Sequence, residues 1–186
     1  MSFTINEYKK FITKLDKDEV SLLNIGQRHD SDWWWYKEIK EEVDKVTCDI
    51  LDIWPANIDY LHSFNGQPDE GIHLNYNPIL GDVRTWEPIR RYDLVIWNHG
   101  PEHLLVPDAV DAMKKLINVA DWGVFVSCPD GSTMEQKRNL ILYKGVALFG
   151  NPAEEHVSLI THENFFSRVG MHSKSDGKDL VGVKYV

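Results

Sequence analysis

Six consecutive residues, Asn98, His99, Gly100, Pro101, Glu102 and His103, bring two imidazoles and a carboxylate into one short turn. Imidazoles titrate near neutrality, so His99 or His103 can serve as the general base that takes a proton from an acceptor hydroxyl or amine. The pair Glu102 and His103 has a second reading, in which hydrogen bonds merely pin the loop. The spacing of His99 and His103 also invites a zinc site. Gly100 and Pro101 between them keep the two rings off one helical face and no third ligand is evident, so no metal is expected. The catalytic candidates are therefore His99, Glu102 and His103.

Such a turn needs a rigid base, and the residues before it supply one. Leu94, Val95 and Ile96 form a continuous apolar run closed by Trp97, which suits a strand buried on both faces of a parallel sheet. The polar turn then falls at the strand's carboxyl end, where open α/β sheets bind ligands. Earlier in the chain, Tyr8, Phe11, Ile12 and Leu15 recur at helical spacing and predict a packing helix over Glu7–Leu15, followed by a charged link. Val20–Ile25 reads as a strand ended by Gly26. Asp30, Ser31 and Asp32 offer N-caps to a helix over Trp33–Val43. Of the three tryptophans Trp33, Trp34 and Trp35, a helix can bury one or two, leaving the rest for a partner surface or a lid.

A second strand is expected over Val46–Ile53, then a helix over Ala56–Leu61 with Pro55 at its first position and Asn57 and Asp59 facing water. Asn65–Gly71 is dense in turn residues and reads as a loop. Ile72–Leu80 carries Pro78 and reads as a weak or edge strand, with a turn over Gly81–Arg84. A helix over Asp108–Val119 and a strand over Trp122–Cys128 follow, then a helical or irregular stretch over Met134–Phe149. Thr161–Asn164 reads as a cap leading into Phe165–Val169, stopped by Gly170. Asp176-Gly177 marks a closing hairpin. Strands and helices alternate, which predicts an α/β chain with a mostly parallel sheet and helices on both faces.

With these elements in place, Tyr92-Asp93-Leu94-Val95-Ile96 and Glu102-His103-Leu104 resemble the fourth-strand motif of class I S-adenosylmethionine-dependent methyltransferases, the small-molecule members in particular. Leu22-Leu23-Asn24-Ile25-Gly26 resembles that family's first motif. It departs from it in having Asn24 where the family carries an acid, and Gln27-Arg28-His29-Asp30 where it carries further glycines. Asp52-Ile53-Trp54-Pro55-Ala56-Asn57 resembles the second motif, in which the acid accepts hydrogen bonds from both ribose hydroxyls; Asp49 competes for the role, and either acid also reads as a helix cap. Gly81-Asp82-Val83 resembles the third, beside the adenine ring, with nearby Trp86 either covering the ring or belonging to the core. His156–Gly170 resembles the segment before the last hairpin, with His156 facing the acceptor after the Gly150–Pro152 loop.

The resemblance spans Leu22 to Val186. It implies a Rossmann-like three-layer αβα sandwich with a C-terminal antiparallel hairpin and S-adenosylmethionine as cofactor. On it, the cofactor-binding residues are Asn24, Gly26, Asp52, Ile53, Asp82, Val83 and Asn98, with a small-molecule acceptor entering beside His99 and Glu102. Two other readings stay open. The departures at Asn24 and after Gly26 suit a non-catalytic protein that keeps the fold as an interaction module. A dinucleotide binder is disfavoured by the missing Gly-x-Gly-x-x-Gly.

The bulk properties narrow the class further. A chain of 186 residues, 42% hydrophobic and 26% charged, fits one domain over 1–186, with 1–19 as an N-terminal helix and link. A formal net charge of −9 argues against a general grip on nucleic acid. No stretch is apolar enough to span a bilayer and the first residues lack the order of a signal peptide, so a cytoplasmic protein is expected. Cys48 and Cys128 read as reduced core thiols. The acceptor pocket is expected to be shallow, open to a large substrate, or completed by a second subunit in a homodimer.

Overall fold

The computed structural model describes residues 2–27, 33–64, 75–142, 145 and 151–186. The caps expected at Asp30–Asp32, the departure at Arg28–Asp30, the loop Asn65–Gly71, the start of the strand expected over Ile72–Leu80, Gly150, and most of the stretch after Leu142 lie outside the described residues.

The elements run in the order α1 Phe3–Ile12, β1 Glu19–Ile25, α2 Trp34–Ile39, β2 Lys45–Asp52, α3 Pro55–Phe64, β3 Asn75–Leu80, β4 Tyr92–Asn98, α4 Val106–Val119, β5 Ala120–Pro129, α5 Met134–Leu142, β6 His172–Ser175 and β7 Asp179–Tyr185. One seven-stranded sheet has the order β3-β2-β1-β4-β5-β7-β6. The pairs from β3 to β5 are parallel, and β7 runs antiparallel to both β5 and β6. This is the Rossmann-like three-layer arrangement with a closing hairpin that the element order predicts.

Successive strand residues point to opposite faces, and both faces are covered. Leu23, Val95 and Val124 pack with α4 through Val110, Met113 and Leu116, and with Phe165 and Phe166. Leu22, Leu94, Ile96 and Phe125 pack on the other side with α1 through Tyr8 and Phe11, with α2 through Trp35 and Ile39, and with Ile58 and Leu61 of α3. Two covered faces explain the unbroken apolar run in β4. Trp35 alone of the three tryptophans is fully buried. Trp33 packs with its ring tilted against Tyr76 and Trp34 edges onto Tyr8, so both rest half-buried on the same side of the sheet.

Several boundaries differ from expectation. Helix α1 starts at Phe3 rather than Glu7, because the Ser2 hydroxyl accepts from the Ile5 amide. Helix α2 stops at Ile39, although Val43 is still buried beyond it. In α3, Asn57 does not face water: it is buried. Strand β3 is an edge strand, the place in a sheet where a residue without an N–H such as Pro78 is tolerated. Thr161 and Asn164 form the reciprocal cap, but the helix it opens is a π-turn over His162–Phe166 that tightens to a 3₁₀ turn and ends at Gly170, φ +65°. Cys48 and Cys128 are free and buried, and burial pushes both thiols up. Among the described residues no helix is long and apolar enough to cross a membrane.

Candidate functional site

The sheet order reverses between β1 and β4: the chain leaves β1 towards β2 on one side and β4 towards β5 on the other. A crevice at the carboxyl ends of these two strands follows from that reversal. Both strands leave the sheet through a left-handed residue, Gly26 at φ +74° and His99 at φ +50°. Gly26 still donates its amide to Leu51, and His99 to Ser127, so each extends its ladder one residue before turning away. Glycine takes this conformation without steric cost, whereas His99 is the sole described non-glycine residue to adopt it. Backbone strain of this kind clusters at functional sites.

A cleft of about 180 Å³ opens there. Gly26, Asp52, Ile53, Asp82 and Val83 line one side, and His99 and His103 the other. Asn24, Asn98 and Glu102 lie behind it. Asn24 is buried and donates to Gln27 Oε1 at 2.9 Å, an oxygen that also accepts from Trp35 Nε1 at 2.7 Å. The Asn98 side-chain oxygen accepts from the Ser127 hydroxyl. These two residues buttress strand ends from within.

Asp52 stands at the end of β2. Its Oδ1 accepts from the Trp54 amide at 2.7 Å and its Oδ2 from Asn57 Nδ2 at 2.8 Å. Burial pushes its pKa up against the pull of those donors. Asn57 also donates to the Gln27 carbonyl, so one amide joins the β1 turn to the β2 acid. Next to Asp52, Ile53 is 43% exposed, an apolar surface facing the cleft. The competing acid Asp49 is buried and committed elsewhere, accepting from Tyr92 Oη at 2.7 Å, Arg90 Nε at 2.9 Å and Asn77 Nδ2 at 3.2 Å. Asp82 lies in the cleft wall with its carboxylate forked by Arg84, Nε to both oxygens at 2.9–3.0 Å and Nη2 at 2.6 Å. That guanidinium holds Asp82 below the usual carboxylate range. Trp86 packs against the core instead of lining the cleft.

Across the cleft, Pro101–His103 forms a single 3₁₀ turn. Glu102 points inward from it and is 2% exposed. Among the described residues, neither of its carboxylate oxygens has a hydrogen-bond partner. His99 Nδ1 lies 3.4 Å and His103 Nε2 3.9 Å from Oε1. Burial alone would raise the Glu102 pKa, and the two histidines outweigh it, holding it low. Conversely, burial pulls His99 down and Glu102 more than offsets that, so His99 is raised. The Glu102 carbonyl accepts from the amides of Val157 and Ser158 at 2.9 and 3.1 Å. This brings the His156 ring to 4.9 Å from that of His103. His156 therefore sits behind the loop beside Glu102, in a small second cavity, and not on the far wall of the main cleft.

Residue-type reasoning missed Asn57, Gln27 and Arg84. The available signal was an amide in the first turn of a helix that starts directly after the Asp52 turn.

The fold is that of the class I methyltransferases. The NodS N-methyltransferase of Bradyrhizobium japonicum WM9 superposes with a TM-score of 0.60 at 9% identity, over 97% of this chain and 93% of that one. The plantazolicin methyltransferase BpumL, solved with S-adenosylhomocysteine (SAH), gives 0.63 at 11% identity over 95% and 81%. The magnesium protoporphyrin IX methyltransferase ChlM of Synechocystis PCC 6803, also with SAH bound, gives 0.63 at 12% over 97% and 82%. No protein-family model matches the chain, and no curated protein matches it in sequence.

Proposed function

We propose that this chain is an S-adenosylmethionine-dependent methyltransferase acting on a small-molecule acceptor. The observation that carries the reading is the Asp52 carboxylate, held by Trp54 and Asn57 at the mouth of the switch-point cleft with exposed Ile53 beside it. A carboxylate has about four lone-pair sites, and the fold uses one on each oxygen, so acceptor capacity remains for a pair of ribose hydroxyls. Ile53 and Val83 supply apolar surface for a flat base. Among the described residues nothing stands within 4 Å of a Cβ built at Gly26, which suits close approach of a ligand to the backbone. Asp82 shares its oxygens with Arg84, so any contact with an exocyclic amine is made alongside that ion pair.

When bound, the cofactor supplies a methyl group on a sulfonium centre, and no covalent enzyme intermediate is required. The chain's own part is to align the acceptor, take its proton and exclude water. His99 lines the cleft, and its Nδ1 faces buried Glu102 at 3.4 Å, the arrangement of a base steadied by a carboxylate. His103 and Glu102 act from behind it as positioning groups. The net charge of −9 favours a small acceptor over nucleic acid, and we assign the protein to the cytoplasm as a single domain.

Thermal unfolding in the presence of S-adenosylmethionine, SAH and NAD tests this choice of ligand. Saturation at a hundred times Kd adds about 2.7 kcal/mol, so a clear rise in melting temperature with the first two and none with NAD is expected. A rise with NAD alone would overturn the proposal.

A further inference from the structure

We propose that Glu102, His103 and His156 form a binding site for one divalent transition-metal ion. One ligand atom from each lies within 4.8 Å of the other two. The spacing of the sequence pairs His103 with His99; the fold instead brings His156 to Glu102 and His103 by tying 157–158 to the Glu102 carbonyl.

Three observations point to a cation here. First, Glu102 is fully buried, and among the described residues neither carboxylate oxygen has a hydrogen-bond partner. Buried carboxylates are normally paired, hydrogen-bonded or bound to metal. Both neighbouring histidines approach Oε1, at 3.4 and 3.9 Å, and neither supplies a bond to Oε2. Second, the His103 ring is oriented as metal-ligating imidazoles are. Its Nδ1 lies 3.2 Å from the Glu155 carbonyl, which turns Nε2 towards the neighbouring carboxylates. Third, that Nε2 faces two carboxylates, Glu102 Oε1 at 3.9 Å and Glu154 Oε2 at 3.7 Å, distances too long for hydrogen bonds and open enough for an ion between them.

Two imidazoles and a carboxylate suit Zn²⁺ or Co²⁺ better than Mg²⁺ or Ca²⁺, which prefer all-oxygen shells. Tetrahedral ligands about 2.0–2.1 Å from zinc stand roughly 3.4 Å from one another, so small side-chain rotations close the set. Three protein ligands leave a coordination position for water or another small ligand. The site lies at the His103 wall of the cleft and extends behind it to Glu102 and His156, and it does not depend on the methyltransferase reading.

The test uses the metal alone, on tag-free full-length protein stripped with chelator. Calorimetry with Zn²⁺ is expected to give one site of micromolar or tighter Kd, and Co²⁺ the visible absorption of a four- or five-coordinate ion. His156→Ala, at a half-buried position, is expected to weaken Zn²⁺ binding at least tenfold and to abolish the Co²⁺ band, with an unchanged circular dichroism spectrum. His172→Ala, on the exposed β6 strand, is expected to bind as the parent does. Absence of binding at millimolar Zn²⁺ would overturn the proposal. So would binding of equal strength in His156→Ala and His103→Ala. Because Glu102→Gln risks the fold itself, the histidine variants decide the matter.

Discussion

Asn57 Nδ2 donates to Asp52 Oδ2 across 2.8 Å, and the same amide donates to the Gln27 carbonyl, coupling the turns after β1 and β2. Asn57 is 1% exposed, so its removal takes two hydrogen bonds from a buried position and loosens the hold on the acid. Asn57→Ala is expected to lower stability by about 1–3 kcal/mol, read from urea denaturation. It is also expected to weaken SAH binding about tenfold, or roughly 1.4 kcal/mol. Equal SAH affinity in the variant would show that Asn57 does not set the Asp52 geometry.

His99 holds a left-handed backbone that asparagine tolerates and β-branched residues resist. His99→Asn and His99→Val both remove the imidazole and its contact with Glu102. The valine variant is expected to be less stable by about 1–2 kcal/mol, with the difference measured by chemical denaturation. If His99 is the base, both variants lose methyl transfer to a hydroxyl acceptor while retaining SAH binding.

Gly100 follows in the same turn. A Cβ built there overlaps the indole Nε1 of Trp97, a fully buried side chain at the end of β4. Gly100→Ala is expected to cost about 1–3 kcal/mol and to change near-ultraviolet circular dichroism, which reports the Trp97 environment. An unaltered melting temperature would contradict this packing.

Asp93, at the start of β4, accepts from the Ser21 amide at 2.8 Å and the Ser21 hydroxyl at 2.7 Å and pairs with Lys17. Burial works to raise its pKa, but these donors prevail and hold it below its ordinary value. A carboxylate depressed in the folded state favours folding above its unfolded pKa of about 3.9. That contribution disappears as the pH falls through the lower, folded value. The stability gap between wild type and Asp93→Asn is therefore expected to be constant at neutral pH and to shrink below about pH 4, as followed by urea midpoints. A gap that widens in acid would contradict the assignment.

Much of this arrangement is legible in the sequence. The apolar run Leu94–Ile96 announced a doubly covered strand, Pro78 announced an edge, and Asp176-Gly177 a hairpin, because each signal is local. The helical position of Asn57 predicts that it faces water, but it is buried because its partners, Gln27 and Asp52, arrive from other elements. Asp82 carried no sign of the Arg84 fork, which depends on the turn conformation. The meeting of Glu102 with His156 depends on backbone hydrogen bonds between distant segments, which residue types do not encode. Helix α1 starts ahead of its first apolar repeat because the Ser2 hydroxyl caps it there.

The most direct test of the methyltransferase reading is calorimetric titration of the purified protein with SAH, run in parallel on Asp52→Ala. The account predicts a single site in the wild type with Kd in the micromolar range, about −8 kcal/mol, and loss of most of that affinity in the variant while its fold persists. No heat with the wild type up to millimolar SAH, or equal affinity in Asp52→Ala, would contradict it and leave the cleft as the feature of a fold retained for another purpose.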